Sequence, residues 1–148
     1  MKVFRLTKSK FASDLSGEGS KLYGGRWNHK GIPCLYLGSS RAMCVLEFSV
    51  HVKKEEIPDD LVFVEVILPK CEIFKLTKEN LPEDWFSQKI SMEIGSNILK
   101  ENKYLVFQVP SAIIPDEFNY VLNPLHSDFS KVKIKSTVAY HLDERIKQ

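Results

Sequence analysis

The chain has 148 residues, 43% hydrophobic and 27% charged, with 7 glycines and 7 prolines, a balance that excludes disordered, collagen-like and low-complexity chains. Lysine and arginine number 21 against 19 aspartates and glutamates, and the resulting net charge of +2 argues against a surface devoted to nucleic acid or to an anionic membrane. At this length one domain, residues 1–148, buries roughly 68–70% of its unfolded surface and needs neither disulfide nor metal to hold a core. Residues 2–6 form the first predicted strand, with Val3 and Arg5 on one face and Phe4 and Leu6 on the other. The next 25 residues, 7–31, read as a glycine- and serine-rich loop whose Phe11, Leu15, Leu22, Tyr23 and Trp27 mark it as packed, not as a flexible linker.

A short strand over 33–38 leads through Gly38-Ser39-Ser40, where Ser39 or Ser40 can cap a helix over 41–52. Apolar residues fall on every side of that helix, so it is expected to be mostly buried. A charged surface loop, 53–60, separates it from strands at 61–68 and 71–76, joined by a tight Pro69-Lys70 turn. A second helix is predicted over 84–100 with Asp84 as its cap. Strands follow at 104–109 and 131–137, and between them 118–122 is a short apolar segment ahead of an Asn123-Pro124 turn. The last strand alternates Lys131, Lys133 and Lys135 with Val132 and Ile134, the pattern of a solvated edge strand that resists further pairing. Strands outnumber helices and several connections are too short for a crossover, which predicts an α+β domain with a mixed or largely antiparallel sheet and flanking helices.

Cys34, Cys44 and Cys71 form no CxxC pair, and His29, His51, His126 and His141 fall in no metal-binding spacing, so reduced thiols and no metal site are expected. The N-terminal stretch lacks an apolar core of the secretory kind, and nothing approaches 18 consecutive apolar residues, which predicts a cytoplasmic chain that does not enter membranes.

Five places carry residues able to do chemistry. Glu47 sits amid Met43, Cys44, Val45, Leu46 and Phe48, where a carboxylate has to be ion-paired, protonated or used. Gly24-Gly25-Arg26-Trp27-Asn28 combines a backbone that can approach a ligand closely with a planar cation suited to phosphate or carboxylate, and is equally an ordinary turn bearing a surface arginine. Tyr36 lies on a strand close to the Glu47 helix, as a core tyrosine or as a ring to stack on a heterocycle. Ser111 lacks a nucleophile elbow or a nearby histidine, so a positioning hydroxyl is the better reading. Asn119 and Asn123 interrupt apolar runs and read most simply as side chains that satisfy backbone groups.

Taken together, GGRWNHKG (24–31), Tyr36, Ser39-Ser40, Ala42, Glu47, VPSAIIP (109–115), NYVLNPLH (119–126) and LDERI (142–146) resemble the RES family, whose arginine, glutamate and serine would be Arg26, Glu47 and Ser111. The similarity runs from Phe4-Arg5 to Arg145 and departs at Ser96, where the family often carries an acidic residue. The resemblance implies a fold similar to ADP-ribosyltransferase toxins and an NAD⁺-degrading toxin of a bacterial toxin–antitoxin pair. Such a toxin would cleave the nicotinamide–ribose bond with water or phosphate as acceptor. NAD⁺ would be substrate, with no cofactor permanently bound. Arg26, Tyr36 and Glu47 would be catalytic, and Gly25, Arg26, Asn28, Tyr36, Ser39 and Ser111 would contact NAD⁺, with Glu47 either free or paired to Arg26 until NAD⁺ enters. The implied partner is a helix-turn-helix antitoxin that occludes the site and carries the DNA recognition, with a toxin homodimer within the complex as one arrangement. Two other functions fit the same residues: mono-ADP-ribosylation of a protein, and a catalytically silent module that only binds at the pocket.

Overall fold

A computed structural model describes residues 1–147 and gathers seven strands into one sheet flanked by helices. Strands β1 (Lys2–Lys8), β2 (Leu35–Gly38), β3 (Leu61–Ile67), β4 (Ile73–Lys75), β5 (Val106–Pro110), β6 (Phe118–Leu122) and β7 (Lys133–Ala139) lie in the order β4-β5-β6-β2-β1-β3-β7. Only β4 and β5 run parallel, so the sheet is mixed, as the sequence predicts. β1 and β3 pair in register from Lys2↔Ile67 to Lys8↔Leu61. β7 lies at the sheet edge with Lys133 and Lys135 in solvent, the place its lysine alternation predicts.

The predicted pairing of the 61–68 and 71–76 segments is not found. β3 and β4 stand five strand positions apart although only residues 68–72 join them. On a flat sheet five intervals span about 24 Å, more than the roughly 20–22 Å that six extended Cα steps can reach. The sheet therefore has to fold over on itself. Its inner side holds the main core, where Val3, Val64 and Val66 meet Leu105, Val106 and Leu122. A Pro69-Lys70 turn reads locally as a hairpin, but β4 instead pairs in parallel with β5 at the opposite edge of the sheet from β7.

Among the described residues three α-helices flank the sheet: α1 (Glu18–Tyr23), α2 (Arg41–His51) and α3 (Gln88–Glu101). α1 and a 3₁₀ turn at Ser9–Phe11 occupy the predicted 7–31 loop. Six residues are too few to show a helical period, and Gly17 (φ 73°) and Gly24 (φ 70°) bound the helix in conformations that favour glycine. Ser40, not Ser39, caps α2 by accepting from the Met43 amide at 3.1 Å.

The expectation that α2 is mostly buried fails: only Met43, Cys44 and Ser49 are buried, and Val50 is 54% exposed. α2 packs mainly on β1 and β2, and the face that carries Glu47 and His51 borders a cleft. α3 starts at Gln88, and Asp84 is not its cap; the Asp84 carbonyl instead accepts from the Ser87 amide at 2.9 Å. The burial of Trp85 in a second core with Trp27, Leu99, Phe107 and Val121 draws residues 84–87 off the helix axis.

Candidate functional site

A cleft of about 750 Å³ opens between β1, the 24–28 loop, β2 and α2. Gly25, Arg26, Tyr36 and Glu47 all line it, so the fold brings these four expected residues together. β2 presents Tyr36, and the Ser40 cap starts α2 so that Glu47 and His51, one turn apart, face the same space.

Glu47 makes no ion pair among the described residues, so neither the salt-bridge reading nor pairing with Arg26 is found. Two neutral donors hold it. The Ser111 hydroxyl donates to Oε1 at 2.8 Å and the Asn119 amide nitrogen donates to the same oxygen at 2.7 Å. Oε2 has no protein hydrogen bond among the described residues, so one oxygen is anchored and the other is left to the cleft. Ser111 also accepts from the amides of Ile113 at 3.1 Å and Ile114 at 3.2 Å, which fixes the hydroxyl. At 1% exposure it stands behind Glu47 and off the cleft wall, where it acts as the positioning hydroxyl its surroundings suggest.

Asn28 is placed differently from a ligand-facing residue. It is fully buried, and its Nδ2 donates to the carbonyls of Ser20 at 2.8 Å and Ile32 at 2.9 Å. Its Oδ1 accepts from the Tyr36 hydroxyl at 2.5 Å, and that hydroxyl in turn accepts from the Trp27 amide at 3.0 Å. Asn28 is thus the clasp of the arginine loop, and Tyr36 offers the cleft its ring while its hydroxyl faces the protein. Burial, reinforced by the neighbouring Cys34, pushes the Tyr36 phenol above its ordinary range, and burial raises the Cys34 thiol to about 12. Both are therefore protonated at neutral pH. Gly25 has no room for a side chain, since a Cβ there would stand 2.6 Å from the Tyr36 hydroxyl oxygen. Ser39 lies outside the cleft lining.

The loop docks on α3 at Gly95 and Ser96. A Cβ on Gly95 would overlap the Trp27 carbonyl oxygen, 2.0 Å away, and the Ser96 hydroxyl accepts from the His29 amide at 2.9 Å. Ser96, the departure noted in the sequence, thus serves the loop. Arg26 is half-buried and donates to the Phe86 carbonyl at 3.1 Å, a contact that orients the guanidinium without neutralising it.

Sequence reasoning missed three cleft residues. Asn119, which by sequence alone suits a backbone-satisfying role, instead holds Glu47; its signal is a polar side chain among apolar neighbours on a strand. Arg5 lines the cleft from β1 and donates to the carbonyls of Asp14 at 2.7 Å and Phe11 at 3.3 Å. Burial lowers its guanidinium from the ordinary range, and Asp14 opposes that shift. His51 carried only its i+4 spacing from Glu47. Asn123, by contrast, does serve backbone groups, bonding the Leu99 carbonyl and the Leu125 amide.

A family model described as the RES domain matches residues 2–143. Toxin Res of Photorhabdus laumondii is 38% identical over 99% of this chain and 97% of that protein. The Prs ADP-ribosylating toxin of a Sphingobium species is 34% identical over 91% of this chain and 88% of that protein. In fold, the chain is similar to a structure from the M. tuberculosis MbcT–MbcA toxin–antitoxin complex, with a TM-score of 0.76 at 18% identity over 94% of this chain and 83% of that one. Among the described residues no helix is long and apolar enough to cross a membrane.

Proposed function

The chain belongs to the RES domain family, and on that premise we propose that it is the toxin of a toxin–antitoxin pair and that it consumes NAD⁺ by breaking the nicotinamide–ribose bond. The observation that carries the reading is Glu47: a carboxylate with one oxygen held by two neutral donors and the other free, in a cleft shared with Arg26 and Tyr36. A site able to admit a dinucleotide and to put an unneutralised carboxylate and guanidinium in one cavity suits a substrate that carries a cationic glycosidic centre and a pyrophosphate.

Cleavage of that bond passes through an oxocarbenium-like state, and nicotinamide departs as a neutral base that needs no proton. The free oxygen of Glu47 stabilises positive charge as it grows on the ribose. Arg26 holds the pyrophosphate or the adjacent ribose, and the Tyr36 ring offers a face for the nicotinamide. With water as acceptor the products are ADP-ribose, nicotinamide and one proton; with phosphate, ADP-ribose 1″-phosphate and nicotinamide. Incubation of the purified chain with NAD⁺, with and without phosphate, is expected to release nicotinamide. A folded protein that leaves NAD⁺ intact under both conditions overturns the reading.

The Sphingobium relative, named as an ADP-ribosylating toxin, favours a second reading with a protein side chain as acceptor. Labelled NAD⁺ in a lysate would then mark a discrete band that disappears with Glu47→Gln. The partner in either case is an antitoxin, of helix-turn-helix type, that covers the cleft. Co-expression with such a protein is expected to yield a stable complex that no longer consumes NAD⁺.

A further inference from the structure

We propose that Trp85 is a positioning residue for Arg26, holding the guanidinium toward the cleft through the carbonyl of its neighbour Phe86; its consequence for ligand rests on the NAD⁺ reading above. Among the described residues, the one protein hydrogen bond of the Arg26 side chain is the donation from Nη1 to the Phe86 carbonyl at 3.1 Å. A guanidinium has five N–H donors, so the others remain for a ligand. A carboxylate in that place would also cancel the charge, whereas a carbonyl fixes direction and keeps it.

That carbonyl needs a fixed support, because residues 77–87 carry neither an α-helix nor a strand. The support is Trp85, 2% exposed, whose ring stacks on Trp27 with centroids 6.2 Å apart and on Phe86 at 4.1 Å. Trp27 is the residue next to Arg26. The links therefore close a circuit: Arg26 to Trp27 along the chain, Trp27 to Trp85 by stacking, Trp85 to Phe86 along the chain, and the Phe86 carbonyl back to Arg26.

Both sides of the circuit are tied to the framework. The Trp27 amide donates to the Tyr36 hydroxyl, and the Trp27 carbonyl rests against Gly95 of α3. The Trp85 amide donates to the Pro82 carbonyl at 3.0 Å, and an ion pair from Lys78 to Asp116 ties the same segment to the loop that follows Ser111. A tryptophan that merely filled the core would support the fold in general. One inside this circuit supports a particular side chain.

The test has two readouts on the full-length chain. The Arg26 side-chain N–H signal, identified by its loss in Arg26→Ala, is expected to report restricted rotation in the wild type, partial release in Trp85→Phe and full release in Trp85→Leu. NAD⁺ titration is expected to show Kd raised about ten-fold by Trp85→Leu in the wild-type background, and less than about two-fold when Arg26 is already alanine. Trp85→Phe supplies the same comparison if the leucine variant does not fold. An Arg26 signal indifferent to Trp85, or equal losses of affinity in the two backgrounds, overturns the proposal. If the signal responds while the wild type takes up no NAD⁺, the positioning role stands and the NAD⁺ reading falls.

Discussion

The Ser111 hydroxyl meets the Glu47 carboxylate at 2.8 Å across 64 positions of sequence, and it binds the same oxygen, Oε1, that Asn119 reaches from β6. Two donors on one oxygen make the carboxylate asymmetric. The arrangement fixes which oxygen is structural and which is available.

Glu47→Gln separates those two roles. The glutamine oxygen can still accept from Ser111 and Asn119, while an amide nitrogen replaces the free oxygen. NAD⁺ consumption is expected to fall about 100- to 1000-fold with the thermal midpoint close to wild type. Nicotinamide release and a melting curve on the same sample check both.

Ser111→Ala removes more than Asn119→Ala. It takes one donor from Glu47 and also leaves the Ile113 and Ile114 amides without their acceptor. Its expected cost in stability is about 1–3 kcal/mol, against about 0.5–1.5 kcal/mol for Asn119→Ala. Both variants lose activity, and urea denaturation midpoints rank them.

Tyr36→Phe keeps the ring in the cleft and deletes the hydroxyl that joins Asn28 to the Trp27 amide. A buried carbonyl oxygen on Asn28 is then left short of a partner, at about 1–3 kcal/mol. Tyr36→Ala removes the ring as well. Affinity for NAD⁺ is expected to fall further in the alanine variant than in the phenylalanine one, measured by titration on folded protein.

Gly95→Ala forces a methyl against the Trp27 carbonyl and is expected to destabilise by about 1–3 kcal/mol or more and to lose activity as the arginine loop shifts. Gly19→Ala is the contrast. It lies in α1 with nothing within 4 Å of the new carbon, and is expected to stabilise by about 0.5–1 kcal/mol. Thermal melts of the two give opposite signs.

Glu65 governs an acid limb of stability. Burial alone would raise its carboxyl, but Lys2, Lys135 and Arg41, at 3.4, 3.7 and 3.3 Å, together hold it below the ordinary range. A depressed folded value means the contribution is complete above the unfolded glutamate pKa and is lost as pH falls through the folded one. Wild type is therefore expected to lose melting temperature through that acid window, and Glu65→Gln to start lower at neutral pH with a shallower acid slope. Melting curves from neutral to acid pH check it.

The sequence by itself determined what depends on near neighbours. Apolar runs and alternation marked six strands and the short apolar segment that forms β6, a serine at 39 or 40 placed the start of α2, the lysine row put β7 at an edge, and Glu47 stood out by its surroundings. The ordered motifs from Gly24 to Arg145 were enough to name the family. Tertiary structure decided what depends on distant partners. β4 joined β5 instead of β3, Asn28 turned inward to clasp its loop, Asn119 came to Glu47 across 72 positions, and Arg26 found the Phe86 carbonyl across 60. The division is physical. A period or a cap is settled by groups within about four residues, whereas a buried polar atom takes whichever partner the folded chain delivers to it.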